Sequence, residues 1–294
     1  MRVTQTMLSR NMLSNLSTSY ERLGKYQDQL NTQKKISRPS DDPVVAMKGV
    51  TYRRNLQEVE QFKRNFSEAY NWMDNSDASL DKAGQALHRI RELIVQSSTD
   101  TYDEGQRKSI SEEISQLKEH LVEIANTKVG DKYIFNGTDT LSKPVDASAS
   151  PIKVSNNSNP IQFELSKGVF IPVNVNPQVV FTEDLFKDVE GLILSLENPN
   201  SDSNSISPYL DKIEGHLDNV TNARANLGAR ANRVELMEER IDQQEIISKK
   251  VMSDNEDIDF EKVVTELLAQ ESVHRAALSV GSRIIQPTLM DFLR

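Results

Sequence analysis

Apolar residues return at every seventh position over two long stretches of this chain. In the first, Tyr52, Val59, Phe66, Met73, Leu80, Leu87 and Ile94 mark the repeat; in the second, Ile206, Ile213, Val220, Leu227, Val234 and Ile241 do. A sustained period of seven keeps one stripe of an α-helix turned toward a partner, so both stretches predict long helices joined by a coiled-coil seam. The intermediate positions Leu56, Lys63, Tyr70, Asp77, Gly84 and Arg91 are mixed, which predicts a first helix supported on one narrow stripe and solvated elsewhere. Its start is marked by Ser40-Asp41-Asp42-Pro43, where Asp41 or Asp42 can cap the free amides and Pro43 suits the first turn.

After a polar break at 97–103, Ile110, Ile114, Leu117, Leu121 and Ile124 predict a second helix folding back on the first, with Gly130 as its C-cap. The character then changes. Gln162 to Leu165, Val169 to Val175 and Gln178 to Phe181 are β-prone runs broken by Pro, Gly and Asn. A short helix near Glu183 to Leu196 and a loop from Asn198 to Ser207 lead into the second seam, and a last helix starts at Asp257 or Asp259. That helix carries Val264, Leu268, Leu278, Ile285, Leu289 and Phe292, while the N-terminal end carries a matching stripe at Leu13, Leu16, Tyr20, Leu23 and Leu30. The N-terminal stripe has no neighbour in sequence, and a single amphipathic helix of that length is marginal in water. It must therefore dock on the last helix, dock on another subunit, or stay disordered.

The expected fold is mainly α: a long coiled-coil-like helical bundle formed by both chain ends, with a small β-rich insertion at the tip. Its segments are an assembly helix and turn at 1–43, a first arm at 44–130, the insertion at 131–182, a returning arm at 183–253 and a C-terminal assembly helix at 254–294.

Composition narrows the function. Charged residues make up 27% and aromatic residues 6%, the profile of long amphipathic helices more than of an enzyme core around a large pocket. Absence of cysteine excludes thiolate metal sites, catalytic thiols and disulfides. No apolar run approaches the ~18 residues of a membrane span, and Met1 to Leu8 lacks the parts of a cleaved secretory signal. The net charge of −9 is uneven: residues 1–64 hold 12 Lys+Arg against 6 Asp+Glu, whereas 254–294 hold 4 against 8. A basic arm could bind phosphate or an anionic surface, but the simpler expectation is that the two ends are electrostatic partners, with neither nucleic acid nor membrane bound.

Catalytic and metal sites find little support. Glu271 and His274 have the spacing of a helix-borne metal pair, but such sites need a second pair and further carboxylates; His120 and Glu123 stand in the reverse order. His88 and His216 lie in charged helical context without a triad, and the glycines are scattered singly. Asn136-Gly137-Thr138 and Asn219-Val220-Thr221 match the glycosylation tripeptide, a pattern frequent by chance. The expectation is no catalytic residue, no metal and no cofactor.

The two ends carry the strongest signal. Residues 20–50, through LNTQKKISRPSDDPVVAMKG, and residues 223–294, through ARANLGARANRVE and SDNEDIDFEKVVTELLAQESVHRAALSVGSRIIQPTLMDFLR, resemble the N- and C-terminal signatures of the bacterial flagellin superfamily. Ser40-Asp41-Asp42-Pro43 and Tyr133-Ile134-Phe135-Asn136-Gly137-Thr138 are closest to its hook-associated branch. The resemblance implies a structural, non-enzymatic subunit of the extracellular flagellum that joins hook to filament and is exported without a cleaved signal. It implies flagellin and hook-associated protein 1 as neighbours, other copies of itself in one layer, and a cytoplasmic export chaperone on the C-terminal helix. The terminal stripes, with Arg38, Asp41 and Asp42 at the turn, are then the candidate assembly interface. Flagellin itself and, outside the family, an intracellular coiled-coil scaffold are the alternatives.

Overall fold

The computed structural model describes residues 5–98, 104–147, 151–198 and 203–285. Among these, the helices are α1 (Gln5–Thr32), α2 (Pro43–Ser97), α3 (Glu104–Ala125), α4 (Pro177–Val180), α5 (Glu183–Glu197), α6 (Ser203–Ile206), α7 (Pro208–Glu256) and α8 (Phe260–Ile285). Six short strands lie between α3 and α4: β1 (Lys128–Val129), β2 (Lys132–Tyr133), β3 (Val145–Asp146), β4 (Lys153–Val154), β5 (Gln162–Ser166) and β6 (Val169–Pro172). The fold is mainly α, built from both chain ends. It divides into two compact units, residues 59–243 and the two terminal stretches 1–58 and 244–294.

The 59–243 unit is organised by the expected seam. Val59, Phe66, Met73, Leu80, Leu87 and Ile94 of α2 are no more than 3% exposed, and Ile213, Val220, Leu227, Val234 and Ile241 of α7 are buried as deeply. Charged pairs along its edges show the helices running antiparallel: Lys63 Nζ lies 2.9 Å from Asp242, and Arg91 Nε lies 2.8 Å from Glu214. Between them Arg224 forks onto Asp77 at 3.0 and 3.2 Å and reaches Asp81 at 2.7 Å, fixing the register with a planar bidentate contact.

The buried face of α2 is wider than the narrow stripe expected, since Ala69, Trp72, Ser76, Ala83, Ala86, Ile90 and Leu93 are also buried. The reason is a second partner. Helix α3 folds back beside α2, with Arg89 Nε on Glu113 at 2.7 Å, and adds Ile110, Ile114, Leu121 and Ile124 to the same core. Helix α5, capped by Thr182 whose hydroxyl accepts from Leu185 N, packs along α3 through Lys118–Glu190 and Ser111–Glu197 contacts. Its Asp188 in turn holds Lys212 at 2.7 Å and His216 at 3.1 Å on α7.

The β-rich segment consists of three antiparallel hairpins, β1–β2, β3–β4 and β5–β6. Its longest hairpin is not held at the tip. Asn65 of α2 donates to Glu164 O at 2.7 Å, and Arg230 of α7 donates to Asn174 O at 3.1 Å. Asn65 lies about 48 Å along α2 from Ser97, at 1.5 Å per residue. Helix α3 has already carried the chain back along α2 before the strands begin.

Three local expectations are corrected. Gly130 does not cap α3, which ends at Ala125; its φ of +59° serves the turn between β1 and β2. Gln178 to Phe181 is not a strand, because Asn176 accepts from Gln178 N at 3.0 Å and Pro177 opens the one-turn helix α4. An N-cap followed by proline outweighed the β propensity of Val179, Val180 and Phe181. The loop expected from Asn198 to Ser207 contains α6, and Ile206 is buried at its end.

Leu227 is 2% exposed in the seam, whereas Leu268 on α8 is 59% exposed. Removing a buried leucine costs ~2–5 kcal/mol before any charge is added. Leu227→Asp is therefore expected to collapse the thermal transition followed by circular dichroism, while Leu268→Asp changes unfolding free energy by less than about 0.5 kcal/mol. Equal losses in the two variants would contradict the described packing.

Candidate functional site

The terminal unit is built on α1 and α8, which pack antiparallel. Inward positions on α1 are Met12, Leu16, Ser19, Leu23, Tyr26 and Leu30; on α8 they are Val263, Leu267, Gln270, His274, Ala277 and Gly281. Met12 crosses Gly281 so closely that a Cβ there would lie 2.9 Å from Met12 Cε. In the middle, Ser19 Oγ accepts from Gln270 Nε2 at 3.0 Å and lies 3.2 Å from His274 Nδ1. The Tyr20 ring sits 6.0 Å from the His274 ring.

The N-terminal stripe thus docks on the last helix, but only in part. Leu16, Leu23 and Leu30 are half-buried against α8, while Leu13 and Tyr20 remain exposed, Tyr20 at 71%. On α8 the expected stripe is not the docking face: Val264 is half-buried, and Leu268 and Leu278 are exposed, as are Val273 and Val280 on the opposite flank. The side chain of Ile285, and Leu289 and Phe292 entirely, lie outside the described residues. Each helix therefore has two apolar faces, of which the pair covers one.

The connectors at the base of this pair interlock. Lys34 bridges Asp257 as a short antiparallel pairing, with Lys35 N donating to Glu256 O at 2.7 Å and Ile258 N to Gln33 O at 3.2 Å. Lys34 Nζ lies 2.6 Å from Asp257 and 3.4 Å from Glu256, and Arg53 Nη2 of α2 lies 2.8 Å from Glu256. Glu256 is 4% exposed, pressed against Gly49, where a Cβ would stand 2.7 Å from its Oε1. The basic and acidic ends thus meet directly. Arg53 holds the Glu256 carboxyl below the usual range by hydrogen bond and charge, against the opposing effect of burial, and Lys34 does the same for Asp257.

Asp41 and Asp42 divide the work at the turn. Asp42 caps α2, accepting from Val44 N at 2.9 Å and Val45 N at 3.1 Å; Asp41 accepts from Ser37 N at 3.1 Å and Arg38 N at 2.9 Å and so closes the turn before it. The Arg38 side chain is exposed. At the other connector Asp259 accepts from Lys262 N at 3.2 Å as the α8 cap, leaving Asp257 to Lys34. A recess of about 180 Å³ beside the clasp is lined by Ile36, Pro39, Val45, Val50, Arg53 and Glu256.

Sequence reasoning missed Lys34, Arg53, Glu256 and Gly49; the only signal was the opposite charge of the two ends. Glu271 instead pairs with Arg275 at 3.6 Å, and His120 with Glu123 at 3.7 Å. Among the described residues no three His, Cys, Asp or Glu side chains gather as a metal site, and no helix is long and apolar enough to cross a membrane.

Since the folded carboxyls of Glu256 and Asp257 titrate below their unfolded values of 4.5 and 3.8, their contribution is complete above those values and is lost as pH falls through the folded ones. Acidification below about pH 4 should raise amide exchange at 33–36 and 256–259 first. Glu256→Ala is expected to cost ~1.5–3 kcal/mol, the worth of charge-assisted hydrogen bonds whose partners regain water. Exchange at these segments that is the same at pH 3 and pH 7, after correction for intrinsic rates, would contradict the clasp.

The N-terminal helical region of bacterial flagellin matches residues 3–140, and the C-terminal helical region matches residues 210–293. Flagellar hook-associated protein 3 of Escherichia coli is 25% identical over 93% of each chain. A flagellin of Halalkalibacterium halodurans is 24% identical over 91% of this chain and 88% of its own. The crystal structure of the flagellar junction protein FlgL from Legionella pneumophila superposes with a TM-score of 0.59 at 17% identity, covering 71% of this chain and 99% of that one, a likeness of fold. With both helical regions matched in order at opposite ends, the chain belongs to the bacterial flagellin family.

Proposed function

We propose that this chain is the structural subunit joining hook to filament, the counterpart of hook-associated protein 3. The supporting observation is a terminal helix pair with a second, uncovered apolar face, in a chain that aligns with hook-associated protein 3 over nearly its whole length. Leu13 and Tyr20 on α1 and Leu268 and Leu278 on α8 are too many large apolar residues to leave in water on a finished surface. Burying them against neighbouring subunits drives assembly, and no reacting group is needed.

On this reading the neighbours are hook-associated protein 1 on one side, flagellin on the other, and further copies within the same layer. Until assembly the same face requires cover, the role of an export chaperone on the C-terminal helix. Export without a cleaved signal delivers the protein to the outside of the cell. Arg38, exposed beside the Asp41 turn, is placed to discriminate between neighbours.

Flagellin itself is the second reading, favoured by a flagellin of Listeria monocytogenes that is 23% identical over 99% of this chain. The two differ in propagation, since a subunit that adds freely to itself makes a polymer and a junction layer must stop. Purified protein should stay monomeric on filament seeds at concentrations where flagellin elongates, and cells lacking it should keep hooks and shed flagellin into the medium. Long self-made filaments would move the assignment to flagellin. Normal filaments in the deletion strain would remove the protein from the junction.

A further inference from the structure

Helix α7 carries a cation that its own unit leaves without a counter-ion. Arg53, Arg89 and Arg224 are each made more basic by a carboxylate, foremost Glu256, Glu113 and Asp77. Arg230 is shifted the other way, by burial, with no acidic group contributing. The hydrogen bonds holding its guanidinium run from Nη1 to the carbonyls of Asn174 and Pro172, at 3.1 and 3.4 Å. A guanidinium has five N–H donors, so the rest of the fork is available to an acceptor.

The space in front of it is a recess of about 260 Å³ between the start of α4 and one face of α7. Val175, Ala223 and Leu227 form an apolar floor, and Asn222, Asn226 and Arg230 bring amide and guanidinium donors to its rim. That chemistry recognises a carboxylate next to an aliphatic side chain. A different face of α7 offers the complement further along: Leu236 is 68% exposed, and Glu239, one turn on, is exposed beside it.

We propose that the Arg230 recess receives Leu236 and Glu239 of a second copy of this chain. The recess and this knob lie about 140° apart around α7 and about 18 Å apart along it, from 3.6 residues per turn and 1.5 Å per residue. They cannot serve each other within one chain, and between chains they make a head-to-tail contact, the kind that continues around a layer. Charge favours the pairing as well, since residues 65–294 carry 38 Asp+Glu against 23 Lys+Arg, and Glu239 would bring a carboxylate to a half-buried guanidinium that no acidic group shifts. The contact rests on the proposed place of the protein in a layer of its own copies, and it names the residues that hold that layer together.

Absence of cysteine makes the test clean. Asn219→Cys and Asn232→Cys, exposed positions of α7 one turn before the recess and one turn before Leu236, are introduced together, the variant is expressed in cells lacking the native protein, and detached flagella are treated with a short bismaleimide. A ladder of cross-linked copies is expected from the double variant and none from either single variant. Adding Arg230→Glu should lower the ladder about tenfold, further exchange of Glu239→Arg should restore it, and Arg230→Lys should retain it. Flagella that contain the double variant but yield no ladder overturn the contact while leaving the junction reading intact. Absence of the protein from flagella overturns both.

Discussion

Burial of the α2–α7 seam is the interaction on which the 59–243 unit depends. Its large apolar residues are almost completely withdrawn from water, each worth ~1.5–3 kcal/mol, and they recur without interruption from Val59 to Ile94 and from Ile213 to Ile241. Everything else in that unit attaches to it. Helix α3 extends the core along one flank, α5 closes over α3, and the β hairpins hang from Asn65 and Arg230. The ion pairs flanking the seam are mostly exposed and contribute little energy individually, but the Arg224 fork admits one alignment and so selects register.

The terminal pair is built on another principle. Its contact layer mixes leucines with Ser19, Gln270, His274 and Gly281, and among its apolar members Val263 is buried while Leu16, Leu23 and Leu30 are only half-covered. Such a contact specifies a partner without holding it strongly. The clasp at the base supplies what the pair lacks, because paired backbone and the Lys34, Arg53, Glu256 and Asp257 charges anchor both helices at the ends nearest their connectors. The pair thus combines a firm root with a weakly committed stem.

What could be read from the chain follows from how far each signal travels. The seven-residue repeats were legible because each helix carries its own evidence at fixed spacing, and Asp42-Pro43 was legible because a cap is local. The wide buried face of α2 was not, since alanines and serines at Ala69, Ser76, Ala83 and Ala86 become core only once α3 and α7 lie on them. On α1 the stripe from Leu13 to Leu30 spans two adjacent faces, and only docking decided that Leu16, Leu23 and Leu30 turn inward. The clasp joins Arg53 to Glu256 across 203 residues, and no local pattern separates Glu256 from the acids around it. Arg230 was equally silent, because its isolation is a property of space.

The hairpins of the β-rich segment are fastened through atoms that every sequence possesses. Asn65 binds the carbonyl of Glu164, Asn126 takes both the N–H and the carbonyl of Val145, and Arg230 binds the carbonyls of Pro172 and Asn174. The helices grip main chain, so the side chains pointing outward from these hairpins are free to be exchanged. The segment behaves as a cassette clipped into a standard socket: its outer surface can diversify without renegotiating the joint, and a new loop needs only the same path past three anchors.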